Sequence, residues 1–227
     1  MNGEDKRLIL GYYDRLIERH GGGRLAVGMG PEERHDLRHQ ALSEVGLRSG
    51  GSVLDLGCGL GGFYSYLRRS GIECEYTGYD IHPKMIELAR QKHPGVNFEL
   101  KDILAEEFPA FDFIVSNVFS LRLAGQDNYS YVEDYMRACY AHARRGVAFE
   151  FPSSYADFSL PEAFHYSPER IFSLAKTITK RVCLRHDYPL FEFCVYLYPD
   201  FEGWAAKPGA GPNGDGPNGH GSNGRAL

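Results

Sequence analysis

Apolar residues along this chain recur first with a helical period and then alternate between short continuous runs and helical stripes. Ile9, Tyr12, Tyr13, Leu16 and Ile17 mark one broad face of a helix predicted over 4–19. A second helix is predicted over 31–48, where Pro31 suits the first helical position and Leu37, Ala41, Leu42 and Val45 form a stripe. After Gly50-Gly51 the pattern becomes strand–helix alternation. SVLDLGCG reads as strand and turn, GGFYSYLRR as helix, CEYTGYD as strand, and HPKMIELARQKH as a helix opened by Pro83. VNFELKD and FDFIVSNVFS are further strands, YVEDYMRACYAHARR a helix, and GVAFEFP a strand. SPERIFSLAKTIT is a helix with Ser167 as N-cap and Pro168 in its first turn. Two strands, RVCLRHD and PLFEFCVYLYP, then follow with no helix between them.

Repeated strand–helix units imply an α/β fold, a doubly wound, mostly parallel sheet with helices on both faces. Apolar runs such as FIVSNVF and VAFEF suit strands covered on both sides. The closing strand pair, joined through Asp187-Tyr188-Pro189, is too tightly linked for a parallel crossover, so the last strand is expected to be antiparallel. The expected organisation is a helical cap or lid over 1–50, a Rossmann-like domain over 51–202, and a Gly/Pro/Asn-rich tail over 203–227. That tail has almost nothing to bury and is expected to stay disordered.

The chain has 227 residues, with 25 Lys+Arg against 30 Asp+Glu, for a formal net charge of −5. That balance, without a basic block, argues against a nucleic-acid or anionic-membrane partner. No segment has the roughly 20 apolar residues a transmembrane helix needs, and the start lacks a secretory signal plan. Five cysteines without a C-x-x-C pair suggest neither a disulfide framework nor a metal site. A cytoplasmic protein with reduced thiols is the expectation. Glycine is the compositional outlier, at 27 residues. Those glycines fall in the tail, in HGGGRLAVGMGP (20–31), and in one turn after the first Rossmann strand.

That turn, Val53-Leu54-Asp55-Leu56-Gly57-Cys58-Gly59-Leu60-Gly61-Gly62-Phe63, is where the chemistry is expected, because open α/β sheets bind ligands at strand carboxyl ends. Gly57-x-Gly59-x-x-Gly62 satisfies the dinucleotide pattern. Asp55, however, would repel a pyrophosphate and would suit a ligand carrying an ammonium and a sulfonium. Asp80 ends the second strand, placed for ribose hydroxyls, and Asp102 follows the third.

In combination, VLDLGCGLGGF, YTGYD-x-H-P-x-M-I-x-x-A and the Asp102-Ile103 pair resemble the class I S-adenosylmethionine (SAM)-dependent methyltransferases, from about Ser52 to Tyr198. The resemblance implies SAM as cofactor. Gly57, Cys58, Gly59 and Gly61 would cradle its methionine part, with Asp55 at the amino end. Asp80 would hold the ribose, Ile81 and Met85 would flank the adenine, and Asp102 with Ile103 would cover its other side. Asn117, Val118 and Phe119 would lie beneath the sulfonium. Cys58 is either a nucleophile or, as transfer from SAM needs no covalent enzyme intermediate, a turn residue touching cofactor.

The acceptor side is read from FEFPSSYADFSLPEAFHY (149–166), in which Tyr155, His165 and Tyr166 either orient an acceptor or simply pack. Glu150, on a buried strand beside the site, needs a partner or a chemical role. Tyr12 and Tyr13 are expected to close a lid hinged on the 20–31 glycines, or to belong to a packed cap. A lid this small implies a small-molecule acceptor; the oligomeric state is left open. Three activities are open: methyl transfer to an N or O acceptor, cyclisation of SAM to azetidine-2-carboxylate and methylthioadenosine with Asn117 and Tyr155 orienting its amino group, and non-catalytic SAM binding.

Overall fold

The apolar runs of the sequence become the strands of a single sheet in a computed structural model that describes residues 1–28, 30–158 and 160–200. The expected tail over 203–227 lies outside the described residues. The strands are β1 (Ser52–Leu56), β2 (Glu75–Asp80), β3 (Asn97–Leu100), β4 (Phe111–Ser116), β5 (Ala143–Pro152), β6 (Arg181–Arg185) and β7 (Glu192–Tyr198). Their spatial order is β3-β2-β1-β4-β5-β7-β6. β1, β2, β3, β4 and β5 pair in parallel, while β7 runs antiparallel between β5 and β6. The closing hairpin is therefore present with its last strand inserted inside the sheet, and β6 takes the edge.

Helices cover both faces. α2 (Glu32–Ser43), α3 (Gly62–Arg69) and α4 (Pro83–Lys92) pack on one, around Leu42, Val53, Phe63, Ile86, Phe98 and Phe113. α5 (Asn128–Ala141) and α6 (Pro168–Ile178) pack on the other, around Ile114, Val132, Met136, Phe149, Ile171 and Val195. Strands covered from both sides, such as β4 and the later part of β5, are thus largely apolar. α1 (Gly3–His20) and a short 3-10 turn over Arg24–Val27 lie before this frame.

Local rules place most boundaries. Ser167 caps α6 by accepting from the Arg170 N–H, and Pro83 opens α4 behind His82, whose side chain accepts from the Met85 N–H. Three boundaries differ from the pattern reading. α2 starts after Pro31, which is its N-cap residue, and it ends at Ser43. Val45 and Leu47 are nevertheless fully buried, so the stripe outlasts the helix. The helix expected to run through Arg145 ends at Ala141, because Ala143 is already paired with Phe111 in the sheet. Among the described residues, no helix is long and apolar enough to cross a membrane and no cluster of ligating side chains fits a metal ion.

Candidate active site

At the carboxyl end of β1 the chain must turn sharply over its neighbour. The Gly57 and Cys58 N–H groups both donate to the Tyr79 carbonyl, at 2.8 and 3.1 Å, which folds the turn across the end of β2. Gly57 and Gly59 hold φ of +73° and +51°. A Cβ on Gly57 would lie 1.9 Å from Val118, and one on Gly59 would lie 2.8 Å from Val27. Gly61, at φ +74°, faces away from the cavity; its Cβ would meet His93 at 2.7 Å and Phe98 at 2.9 Å. Its glycine is demanded by packing, so it leaves the ligand-facing set.

Three carboxylates surround this turn. Asp80 accepts from the Gly59 N–H at 2.9 Å and from the His82 N–H at 2.8 Å, which aims it along the cavity wall. Burial raises its carboxyl above the usual range despite those bonds. Asp102 is buried and bound to Lys6 of α1, at 3.2 Å. Asp55 is buried beneath the turn and accepts a 2.6 Å hydrogen bond from the Tyr76 hydroxyl. Burial pushes its carboxyl from the ordinary 3.8 to about 7, with Tyr76 opposing the rise.

The folded state therefore holds a proton on Asp55 that the unfolded chain releases near pH 3.8. The Asp55 contribution to stability is expected to fall as pH rises from about 4 to about 7 and to level off above that. Urea denaturation across this range should show the slope reduced in Asp55→Asn. The Cys58 thiol, buried close to Asp80 and Asp55, is raised well above its usual value. That disfavours the thiolate a nucleophile would need.

A continuous cavity of about 660 Å³ begins at this turn. Asp55, Gly57, Cys58, Gly59, Asp80 and Ile81 line it, as do Met85, Asp102, Ile103, Asn117 and Val118. α1 covers it with Ile9 and Tyr13, and Val27 of the 3-10 turn sits over Gly59. The cover is tied down at several points. Asp5 accepts from the Ala124 and Gly125 N–H groups at 2.8 and 2.9 Å, and the Asp14 carboxylate stands 3.2 Å from the His82 ring.

Besides Gly61, five expected site residues fall outside the cavity lining. Tyr12 is half-buried and packs edge-on to Tyr13. Phe119, one residue past Val118, turns into the core and stacks on Phe151 at 4.7 Å. Tyr155 is 66% exposed and donates to Glu169 at 2.6 Å. His165 packs edge-on against Phe158, and Tyr166 is fully buried with its hydroxyl accepting from Asn128. Tyr166 is the packing residue of the aromatic segment after β5: it pairs with Ser153 and ties the segment down on the α5–α6 side.

Glu150 does line the cavity, and it is buried. Its Oε1 accepts from the Tyr188 hydroxyl at 3.2 Å, and Arg38 Nε lies 3.8 Å from its Oε2. The same guanidinium hydrogen-bonds Glu192. Burial raises the Glu150 carboxyl to about 8, against the opposing pull of Arg38. The α2 face is what pattern reasoning missed: His35, Arg38 and His39 all line the cavity. Burial is the main cause holding the His35 ring down to about 4 and the His39 ring to about 3. The available signal was their i, i+3, i+4 spacing, which puts three nitrogen-rich side chains on one helical face beside the apolar stripe.

Residues 53–146 match the profile of the family described as Methyltransferase domain. A Mycobacterium tuberculosis protein named "Putative methyltransferase Rv1506c" is 32% identical over 150 residues, covering 63% of this chain and 90% of that protein. The phthiotriol/phenolphthiotriol dimycocerosates methyltransferase of Mycobacterium leprae is 37% identical over 93 residues, with the match spanning only 33% of its length. Magnesium protoporphyrin IX methyltransferase from Synechocystis, solved with bound S-adenosylhomocysteine, shares the fold. It has a TM-score of 0.60 at 18% identity and covers 85% of this chain and 98% of its own. On its sheet order, its glycine turn and these relatives, the chain belongs to the class I SAM-dependent methyltransferase family.

Proposed function

We propose that this protein binds SAM at the glycine turn and directs its methyl group to a small-molecule O or N acceptor lying toward Glu150. The observation that carries this is one continuous cavity, among the described residues, lined by both the turn and the buried Glu150 carboxyl. Its 660 Å³ falls within the roughly 300–1,000 Å³ of small-molecule sites. The name of the Mycobacterium leprae relative, which specifies a defined compound class, supports an acceptor of that kind.

The residues fit the cofactor. Gly57 and Gly59 leave the backbone bare where a side chain would occupy the space, and Asp55, Gly57, Cys58 and Gly59 suit the methionine part. Asp80 suits the ribose hydroxyls; Ile81, Met85, Asp102 and Ile103 suit the adenine; Asn117 and Val118 form the floor. When bound, SAM supplies an electrophilic methyl on a positively charged sulfur. The protein aligns the acceptor, keeps water out beneath α1, and takes the acceptor's proton on Glu150 Oε2, whose raised basicity suits that task. Within residues 1–50, α1 and the 3-10 turn act as the cap, with Tyr13 as its inner face, over a SAM-binding unit at 51–202 against which α2 packs. Cyclisation of SAM finds no support in the relatives, and of the two residues it called on, Asn117 lines the cavity while Tyr155 lies outside it.

Asp80→Asn is expected to weaken SAM binding about 10- to 100-fold, the loss of a hydrogen bond to a charged acceptor. Isothermal titration of wild type and variant with SAM checks this. Product analysis with SAM alone and with added acceptors completes the test. Unchanged binding in the variant, or methylthioadenosine formed from SAM alone, would sink the reading.

A further inference from the structure

His35 and His39 stand out as buried polar groups without protein partners. Neither ring has a hydrogen-bond partner among the described residues, and His35 Nε2 and His39 Nδ1 are shielded from solvent. An unsatisfied buried polar atom costs on the order of 1–3 kcal/mol, so such a pair on a cavity wall is expected to meet a ligand or water. The two rings pack edge-on at 5.4 Å, with His39 against Phe63 at 5.5 Å. Arg38, between them in sequence, reaches Glu150 and Glu192, so the histidines and Glu150 belong to the same wall.

Charge narrows what this wall takes. Its cations are largely compensated: Arg38 by two carboxylates, Arg69 by Asp36, and Arg24 by Glu32, while Lys92 is exposed. An anionic acceptor beside the histidines would face the carboxylates of Glu150 and Glu192, the unpaired cation of the wall among the described residues being the exposed Lys92. A neutral imidazole donates from one nitrogen and accepts at the other. A hydroxyl matches both roles, whereas an ammonium has no lone pair and a carboxylate no donor. Phe63 and Tyr135 add aromatic rings and Leu42 an aliphatic side chain to the lining.

Resting on the methyltransferase reading above, we propose that His35 and His39 bind the acceptor, and that the acceptor is an uncharged aromatic hydroxyl compound. The hydroxyl is held by the imidazoles and presented to Glu150. The pair sets acceptor specificity and leaves the cofactor end untouched.

The test uses three probes of similar shape and different charge: phenol, benzoate and benzylamine. Each is titrated into the full chain, with and without S-adenosylhomocysteine, while the histidine ring resonances are followed by NMR. Those of His35 and His39 are assigned from single variants. Phenol is expected to shift both rings and to bind more tightly than the charged probes. His39→Phe keeps the ring packing and removes the nitrogens, so phenol affinity should fall about tenfold, with partial recovery in His39→Gln. SAM affinity should stay within about twofold in both variants. Tighter binding of benzoate or benzylamine, or no response of these rings to phenol, overturns the proposal. Equal loss of SAM and phenol affinity does so too, assigning the pair to the cofactor. Failure of wild type to bind SAM would instead defeat the cofactor reading, and the cofactor-free phenol titration keeps the two apart.

Discussion

Gly57→Ala is expected to destabilise the protein by about 2–5 kcal/mol and to reduce SAM affinity by at least about tenfold. Two separate penalties combine. A φ of +73° is costly for any residue with a Cβ. The added methyl would also sit 1.9 Å from Val118 Cγ1, an overlap that only movement of the turn or of the chain leaving β4 relieves. Movement is resisted, since Gly57 and Cys58 are both hydrogen-bonded to the end of β2. Urea denaturation and SAM titration measure the two losses. Adding Val118→Ala should recover the steric part and leave the backbone part. Full recovery in the double variant would show that φ contributes nothing there.

Arg38→Met is expected to cost about 3–5 kcal/mol, as removing one member of a buried charged cluster does. It leaves Glu150 and Glu192 facing each other without the guanidinium that holds both. The pH dependence makes this specific. Burial already places the Glu150 carboxyl at about 8 against an unfolded value near 4.5, so the wild type loses stability as pH rises between those values. Without Arg38 the lowering influence disappears, and the loss should continue above pH 8. The deficit of the variant, read from urea midpoints, should be smaller at pH 5 than at pH 8. Glu150→Gln in the Arg38→Met background should restore part of it. A deficit independent of pH would mean that lost packing of the arginine stem, and not charge, explains the effect.

The same contrast between local and assembled information runs through the site. Asp55, Gly57, Gly59 and Asp80 were legible because each is tied to the end of a strand, and strand ends follow from hydrophobic periodicity and glycine placement. Gly61 sits in the same motif for a different reason, packing against His93 and Phe98, which no motif spacing distinguishes. The sequence leaves Tyr155, His165 and Tyr166 open between acceptor and packing roles because an aromatic-rich loop after a strand reads alike whether it lines a pocket or covers a core. Here Tyr166 is fully buried, while Tyr155 bonds Glu169 outside the cavity.

By itself, the sequence determined the α/β alternation, the antiparallel ending, the glycine turn and the acidic residues in register with it, all properties of neighbours along the chain. Only the tertiary structure decided that β7 slips between β5 and β6, that α1 is pinned over the cavity through Asp5 and Lys6, and that α2 brings His35, Arg38 and His39 to Glu150. Arg38 and Glu150 are separated by more than a hundred residues. Their meeting depends on which face of α2 packs toward β5, and helical periodicity marks the apolar face without saying which polar residues at its edge will be buried with it.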